Sequence, residues 1–369
     1  MIHLPLLRRG ESYTSLDTAK VPHYRTGEPV AELSLANSGL IRRDLSTESQ
    51  KTMKDSLVAL PVKDLVAMSA RAADQFMNAS LPCGDQTQNV DEYVKATSGT
   101  TGLPFALVRR NMTKISGVMS NVRDILWGLM RGLPLEVLDT GLASASGSAV
   151  SFTARGSSLG VVLPSNSPGV HSLWAPAIAL KTPLILKPGS AEPFTPLRIV
   201  QAFIAAGVPR QAFAYLPTSH QGAEEILRHC GRGMVFGDTG STAKWLTDSR
   251  IEVHGPGYSK VVLGPDASAN FHKHLDTIVA SIAENSGRSC VNASGVWVTS
   301  HAKEIARAIG ERLAEIVPRP EDDPTRPARS FCECPRRRVF LRSGRQWSRR
   351  RRGRRRDRIH PRRIEASCV

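Results

Sequence analysis

GVVLPSNSPGVHSLWAPAIALKTPLILKPGSAEPFTPLRIVQAFIAAG, residues 160–207, alternates two kinds of hydrophobic pattern. GVVLP (160–164) and PLILKP (183–188) are short, unbroken apolar runs, the form strands take when helices cover both faces of a parallel sheet. HSLWAPAIALK (171–181) and PLRIVQAFIAAG (196–207) carry their apolar residues at helical spacing. The same rhythm runs on through AFAYLP (212–217), GAEEILRHC (222–230), GMVFG (233–237) and TAKWL (242–246). It predicts a doubly wound α/β domain with ligands at the carboxyl ends of its strands. YSKVVLG (258–264), LDTIVASIAENSG (275–287), GVWVT (295–299) and KEIARAIGERLAEIV (303–317) continue the alternation, as a second domain would.

Upstream the pattern is weaker. Helices are expected around Lys51–Met77 and Met112–Leu133, with loops between them. TSGTTGLPF (97–105) is similar to the phosphate loop of adenylate-forming enzymes, but Phe105 stands where that motif has lysine. A glycine-rich loop of the N-terminal region is the expectation there.

The chain has 369 residues, 41% apolar, and a formal net charge of +16. That charge invites a nucleic-acid reading. Residues 319–369, however, hold 18 arginines, no lysine and six acidic residues, a net of +12 that leaves +4 for the 318 residues before them. The tail has no helical or strand period and repels itself, so disorder is expected after Pro318. Phosphate-binding arms usually mix lysine with arginine. An arginine run that starts where a folding pattern stops is what a GC-rich gene yields out of frame, and a frame change near codon 319 is the reading adopted. Binding of nucleic acid through this tail is expected to be non-specific.

No run reaches the ~18 apolar residues of a membrane helix. The N-terminal charges follow a short apolar run, the reverse of a signal peptide, so the cytoplasm is the default location. Six cysteines over this length make no disulfide framework. Cys332 and Cys334 have no second pair nearby, so no metal site is expected.

Cys290 lies in ENSGRSCVNASG (284–295), between a helical pattern and an apolar strand. Small neighbours leave its sulfur approachable and its amides open to a ligand, as a thiol nucleophile requires. In order, VVLPSNSPGVHSLWAPAIALKTPLILKPGSAEPFTP (161–196), FGDTGSTAKWL (236–246), GPGYSKVVLGPDA (255–267) and NSGRSCVNASGVWV (285–298) resemble the aldehyde dehydrogenase superfamily. The resemblance covers roughly Leu159 to Pro318.

It implies an aldehyde dehydrogenase-like fold, a Rossmann-type dinucleotide-binding domain followed by an incomplete α/β catalytic domain. The implied boundaries are 1–255, 256–318 and a tail of 319–369. It implies NAD or NADP as cofactor, an aldehyde or acyl-CoA as substrate, and a homo-oligomer. Cys290 falls at the nucleophile that forms a thiohemiacetal, and Asn166 at the side-chain amide that holds the oxyanion. Pro164 and Lys187 fall at the cofactor, the lysine at the adenosine ribose. Gly240 and Ser241, ahead of a helix, fall where free N–H groups suit a pyrophosphate.

Three departures matter. The general base that activates water for hydrolysis is a glutamate in the family, and its position here falls at or near His254, with Glu252 two residues earlier. Acylating members, which exchange acyl groups with coenzyme A, lack that base and often carry a glycine-rich run such as GPG (255–257). The carboxylate that grips the ribose 2′-hydroxyl in NAD-preferring members is replaced by Ser190, with Glu192 further on, which permits NADP. Finally, the part of the family fold beyond Val317, with its Glu-x-Phe-x-Pro motif, has no counterpart, and uncovered apolar surface is expected. The alternatives are an inactive, truncated chain that keeps dinucleotide binding, and a nucleic-acid binder through the tail.

Overall fold

The computed structural model describes residues 1–316 and 320–322, together with the backbone of Arg363–Glu365. The chain forms two compact units, one of Met1–Thr101 with Val108–Gly255 and one of Gly102–Leu107 with Pro256–Val369.

The first unit is built on a seven-stranded sheet in the order Ile251–His254, Arg232–Phe236, Leu159–Val162, Leu184–Lys187, Phe213–Tyr215, Leu6–Arg8, Glu11–Tyr13. The first five strands are parallel. The last two add antiparallel, a pair the upstream pattern did not announce. From Leu159–Val162 the chain winds first to one side and then, from Arg232, to the other. That reversal is the doubly wound order expected, and it opens a switch point between Leu159–Val162 and Arg232–Phe236.

The apolar runs are unbroken because both faces are covered. Leu184, Ile185 and Leu186 are all fully buried. One face packs Ile185 and Ala214 with Ile41, Met53 and Ile226. Across the other, helix Phe194–Ala205 brings Phe203 onto Phe213, with ring centroids 5.9 Å apart. Each such side chain contributes roughly 1.5–3 kcal/mol by leaving water.

Two local expectations are corrected. HSLWAPAIALK does not form an α-helix; it forms two 3-10 segments, Pro168–Leu173 and Ala175–Ile178. Pro168 opens the first segment and Pro176 is the second residue of the other, and a proline has no N–H with which to continue a helix from the preceding turn. TSGTT (97–101) is the end of a helix, Val90–Thr101, and not a loop. Its hydroxyls turn inward, with Thr101 Oγ1 donating to Thr97 O at 2.6 Å, so these small residues pack the interior. The helical stretch expected around Lys51–Met77 is present as a pair of helices, Thr47–Val58 and Val62–Asn78, with Pro61 at the start of the second. Met112–Leu133 likewise falls on Phe105–Ser120 and Val122–Leu129.

In the second unit the parallel strands Val261–Leu263 and Gly295–Val298 pair, and the backbone of Arg363–Glu365 adds antiparallel to the latter. Helices Leu275–Ala283 and Ala302–Ala314 cover one face, burying Leu263, Ile278, Val296 and Ile305. On the other face Val262 and Trp297 are register partners, 74% and 40% exposed. The tail expectation, and Cys332 and Cys334, lie outside the described residues, apart from 320–322 and the backbone of 363–365.

Candidate active site

Three loops leave the carboxyl ends of adjacent strands in the first unit. The loop 163–167 follows Leu159–Val162 and carries Pro164 and Asn166. Lys187 ends the next strand, with Ser190 exposed just beyond it. The turn Gly237–Thr239 follows Arg232–Phe236 and leads to Gly240 and Ser241. Residues 75 positions apart in sequence thus lie at one edge of the sheet, because parallel strands place all their carboxyl ends there.

The first two loops are clamped together. The Leu163 N–H donates to Lys187 O at 2.9 Å, and the Ala191 N–H to Ser165 Oγ at 3.1 Å. Gly189 approaches so closely that a Cβ there would sit 2.4 Å from Pro164 O. Behind them is a buried polar chain. Trp174 Nε1–H donates to His171 Nδ1 at 3.1 Å, which puts the imidazole proton on Nε2, 2.9 Å from Glu192 Oε2. Glu192 Oε1 accepts from the Thr195 N–H at 3.0 Å and from its hydroxyl. Thr195 Oγ1 is 2.6 Å from the Tyr93 hydroxyl. Glu192 is 1% exposed and committed to this chain, so it does not stand in for the family's ribose carboxylate.

Lys187 is largely desolvated, which pulls its pKa below the usual lysine value. Among the described residues no carboxylate pairs with it. A cation held this way is suited to a polar ligand that brings its own acceptors.

Gly240 and Ser241 correct the expectation of free amides ahead of a helix. Both lie inside a four-residue helix, Thr239–Thr242, and Asp238 caps it. The Ser241 N–H donates to Asp238 Oδ1 at 2.8 Å. The Asp238 carboxyl is held below its usual range by the Ser241 backbone and hydroxyl, and by the Gly240 N–H. These amides already face a carboxylate.

His254 ends the strand Ile251–His254 and stacks on its register partner Phe236, centroids 4.5 Å apart and planes at 11°. Its Nε2 lies 2.9 Å from Glu252 Oε1, without the alignment of a hydrogen bond. Glu252, two residues back on the same strand face, is exposed.

Cys290 belongs to the second unit, where its thiol is free and exposed. Helix Leu275–Ala283 ends in a left-handed run, Asn285 (φ 52°), Ser286 (φ 59°) and Gly287 (φ 68°). The Asn292 N–H donates to Ser289 O at 3.0 Å, closing a turn with Cys290 and Val291 at its tip. The GPG run packs alongside: a Cβ on Gly257 would fall 1.4 Å from Cys290 O. Sequence reasoning missed Asn292 and Asp238, and it named Gly257 and Glu192 without their packing roles. Only the small residues flanking Cys290 hinted at such close packing.

Among the described residues no three metal-ligating side chains cluster, and no helix is long and apolar enough to cross a membrane.

Residues 87–327 match the family model described as "Aldehyde dehydrogenase family". Solved structures with similar folds include a mutant aldehyde dehydrogenase C from Pseudomonas syringae in complex with NAD+ and octanal, at TM-score 0.73 and 17% identity over 92% of this chain. An NADP-dependent glyceraldehyde-3-phosphate dehydrogenase from Bacillus halodurans, complexed with NADP, matches at TM-score 0.72 and 14% identity over 93% of this chain. An aldehyde dehydrogenase from Brucella melitensis biovar abortus matches at TM-score 0.69 and 15% identity over 89%. The chain spans 67%, 71% and 66% of these three proteins, about two thirds of their length.

Proposed function

The chain belongs to the aldehyde dehydrogenase family, and from that premise we propose an NAD(P)-dependent oxidoreductase that works on an aldehyde or acyl-CoA through Cys290. The observation that carries the reading is the exposed Cys290 thiol at the tip of a closed turn. We assign dinucleotide binding to residues 1–255 and the start of the catalytic domain to 256–318.

The cofactor fits what the first unit offers: a switch point between two strands, a desolvated lysine without a carboxylate partner, and an uncharged Ser190. Lys187 would hold the adenosine ribose and Pro164 would flank the cofactor. When bound, the nicotinamide accepts or returns the hydride. Cys290 Sγ attacks the carbonyl carbon, giving a thiohemiacetal or, from acyl-CoA, a thioester with release of the CoA thiol. The Asn166 amide and the Cys290 N–H hold the oxyanion; one such donor is worth about 3–4 kcal/mol of barrier. Return of the acyl group to coenzyme A is favoured over hydrolysis. The glutamate of the hydrolytic members is absent, and His254, stacked on Phe236, is the remaining candidate base.

Wild type and Cys290→Ala incubated with an acyl-CoA and weighed intact test the assignment. The expected result is one acyl mass on the wild type and none on the variant. Dinucleotide binding with neither an adduct nor aldehyde-dependent dinucleotide reduction overturns it in favour of a binding protein without turnover. The uncovered Val262–Trp297 face is the observation on that side.

Ser190→Glu tests the cofactor half. A carboxylate there repels a 2′-phosphate, so NADP affinity is expected to fall at least about tenfold relative to NAD, a change of ~1.4 kcal/mol. Fluorescence titration of both dinucleotides reads it, and an unchanged ratio removes Ser190 from the site.

A further inference from the structure

We infer that Asn292 is the positioning residue of the cysteine turn, a staple that holds Cys290 against the end of helix Leu275–Ala283; the inference rests on Cys290 being the nucleophile. The last carbonyls of a helix have no partners within it and need donors from elsewhere. Here the Asn292 side chain supplies them, its Nδ2 lying 3.2 Å from Ser281 O, 3.1 Å from Ile282 O and 3.0 Å from Glu284 O. The Ala293 N–H adds a bond to Ser281 O at 2.8 Å.

The other end of the same amide faces the cysteine. Asn292 Oδ1 accepts from the Ser289 N–H at 2.9 Å, while the Asn292 N–H returns to Ser289 O at 3.0 Å. The turn 289–292 is therefore closed twice, once by backbone and once by side chain. Asn292 is 7% exposed, whereas Val291, beside Cys290 at the tip, is 75% exposed. A single buried amide fixes both the anchor and the exit of the turn, and the residues between them have little freedom left. No other side-chain type supplies two N–H donors and an acceptor at this length; aspartate is isosteric but donor-free.

The test uses the full chain as wild type, Asn292→Ala and Asn292→Asp. Hydrogen exchange over residues 284–293 reads the staple, and kcat against the KM for dinucleotide reads its consequence. Exchange in this segment is expected to speed up about tenfold or more. The kcat is expected to fall about a hundredfold, the cost of a misplaced reacting group, with the KM for dinucleotide unchanged. Asn292→Asp keeps the volume and the acceptor for Ser289 but loses the donors, so it reports even where Asn292→Ala does not fold. Unchanged exchange in both variants overturns the staple. Faster exchange at wild-type kcat overturns the positioning role, as does a fall in activity no larger than the unfolded fraction. Wild-type turnover in Cys290→Ala would instead remove the nucleophile assignment, and exchange alone would then decide what Asn292 holds.

Discussion

Gly257→Ala is expected to cut turnover by about a hundredfold or more while leaving dinucleotide affinity intact. The added Cβ would stand 1.4 Å from Cys290 O, 2.5 Å from its carbonyl carbon and 3.1 Å from its Cα. All three are backbone atoms, so no rotamer change relieves the overlap; one segment has to move. The GPG strand entry is itself tied down, because the Ser294 N–H donates to Ser259 O at 2.8 Å and Lys260 Nζ reaches Ser294 Oγ at 2.5 Å. Either the Gly257 segment or the Cys290 turn, itself pinned by Asn292, has to give, and about 1 Å at Cys290 is enough for such a loss. Overpacking also costs about 1–3 kcal/mol of stability, so thermal unfolding is read beside kcat. Wild-type kcat in the variant would mean that the position of the Cys290 backbone has no bearing on the chemistry.

Arg198→Met is expected to destabilise the first unit by roughly 3 kcal/mol or more, read by urea unfolding. Arg198 is 2% exposed, and among the described residues no carboxylate pairs with it. Its guanidinium donates to Phe76 O at 3.0 Å, Gln88 O at 3.0 Å and Ala79 O at 2.7 Å. It also lies over the rings of Tyr93 and Phe76, 5.3 and 5.9 Å from their centroids. Methionine fills much of the volume but strands three buried carbonyls, each costing about 1–3 kcal/mol. Arg198→Lys should recover little, since an ammonium cannot reproduce the planar fork. A loss below about 1 kcal/mol for Arg198→Met would show that water or a backbone shift replaces these bonds.

The sequence errors have a common cause. HSLWAPAIALK has helical spacing, yet Pro176 within it and Pro168 just before it matter more than its apolar residues, because a missing N–H is a local and absolute constraint. TSGTT has loop composition, yet it is buried helix, in which the Thr100 and Thr101 hydroxyls bond back to the helix's own Thr97 carbonyl. Gly240 and Ser241 have the composition of an anion seat, but Asp238, two residues before Gly240, takes their amides first. In each case composition indicated what a segment tolerates, and the neighbours determined which tolerated state it took.

The doubly wound class of the sheet, the lysine at a strand end and the cysteine between a helix and a strand were all legible in one dimension. They follow from hydrophobic period and chain order, which survive without knowledge of partners. What Glu192 does, which atom locks Cys290 into its turn, and why residue 257 has no room for a side chain were decided only in the folded chain. Those properties are distances between residues 21 to 33 positions apart in sequence, or between a side chain and several carbonyls at once. No local pattern encodes a distance that only packing creates.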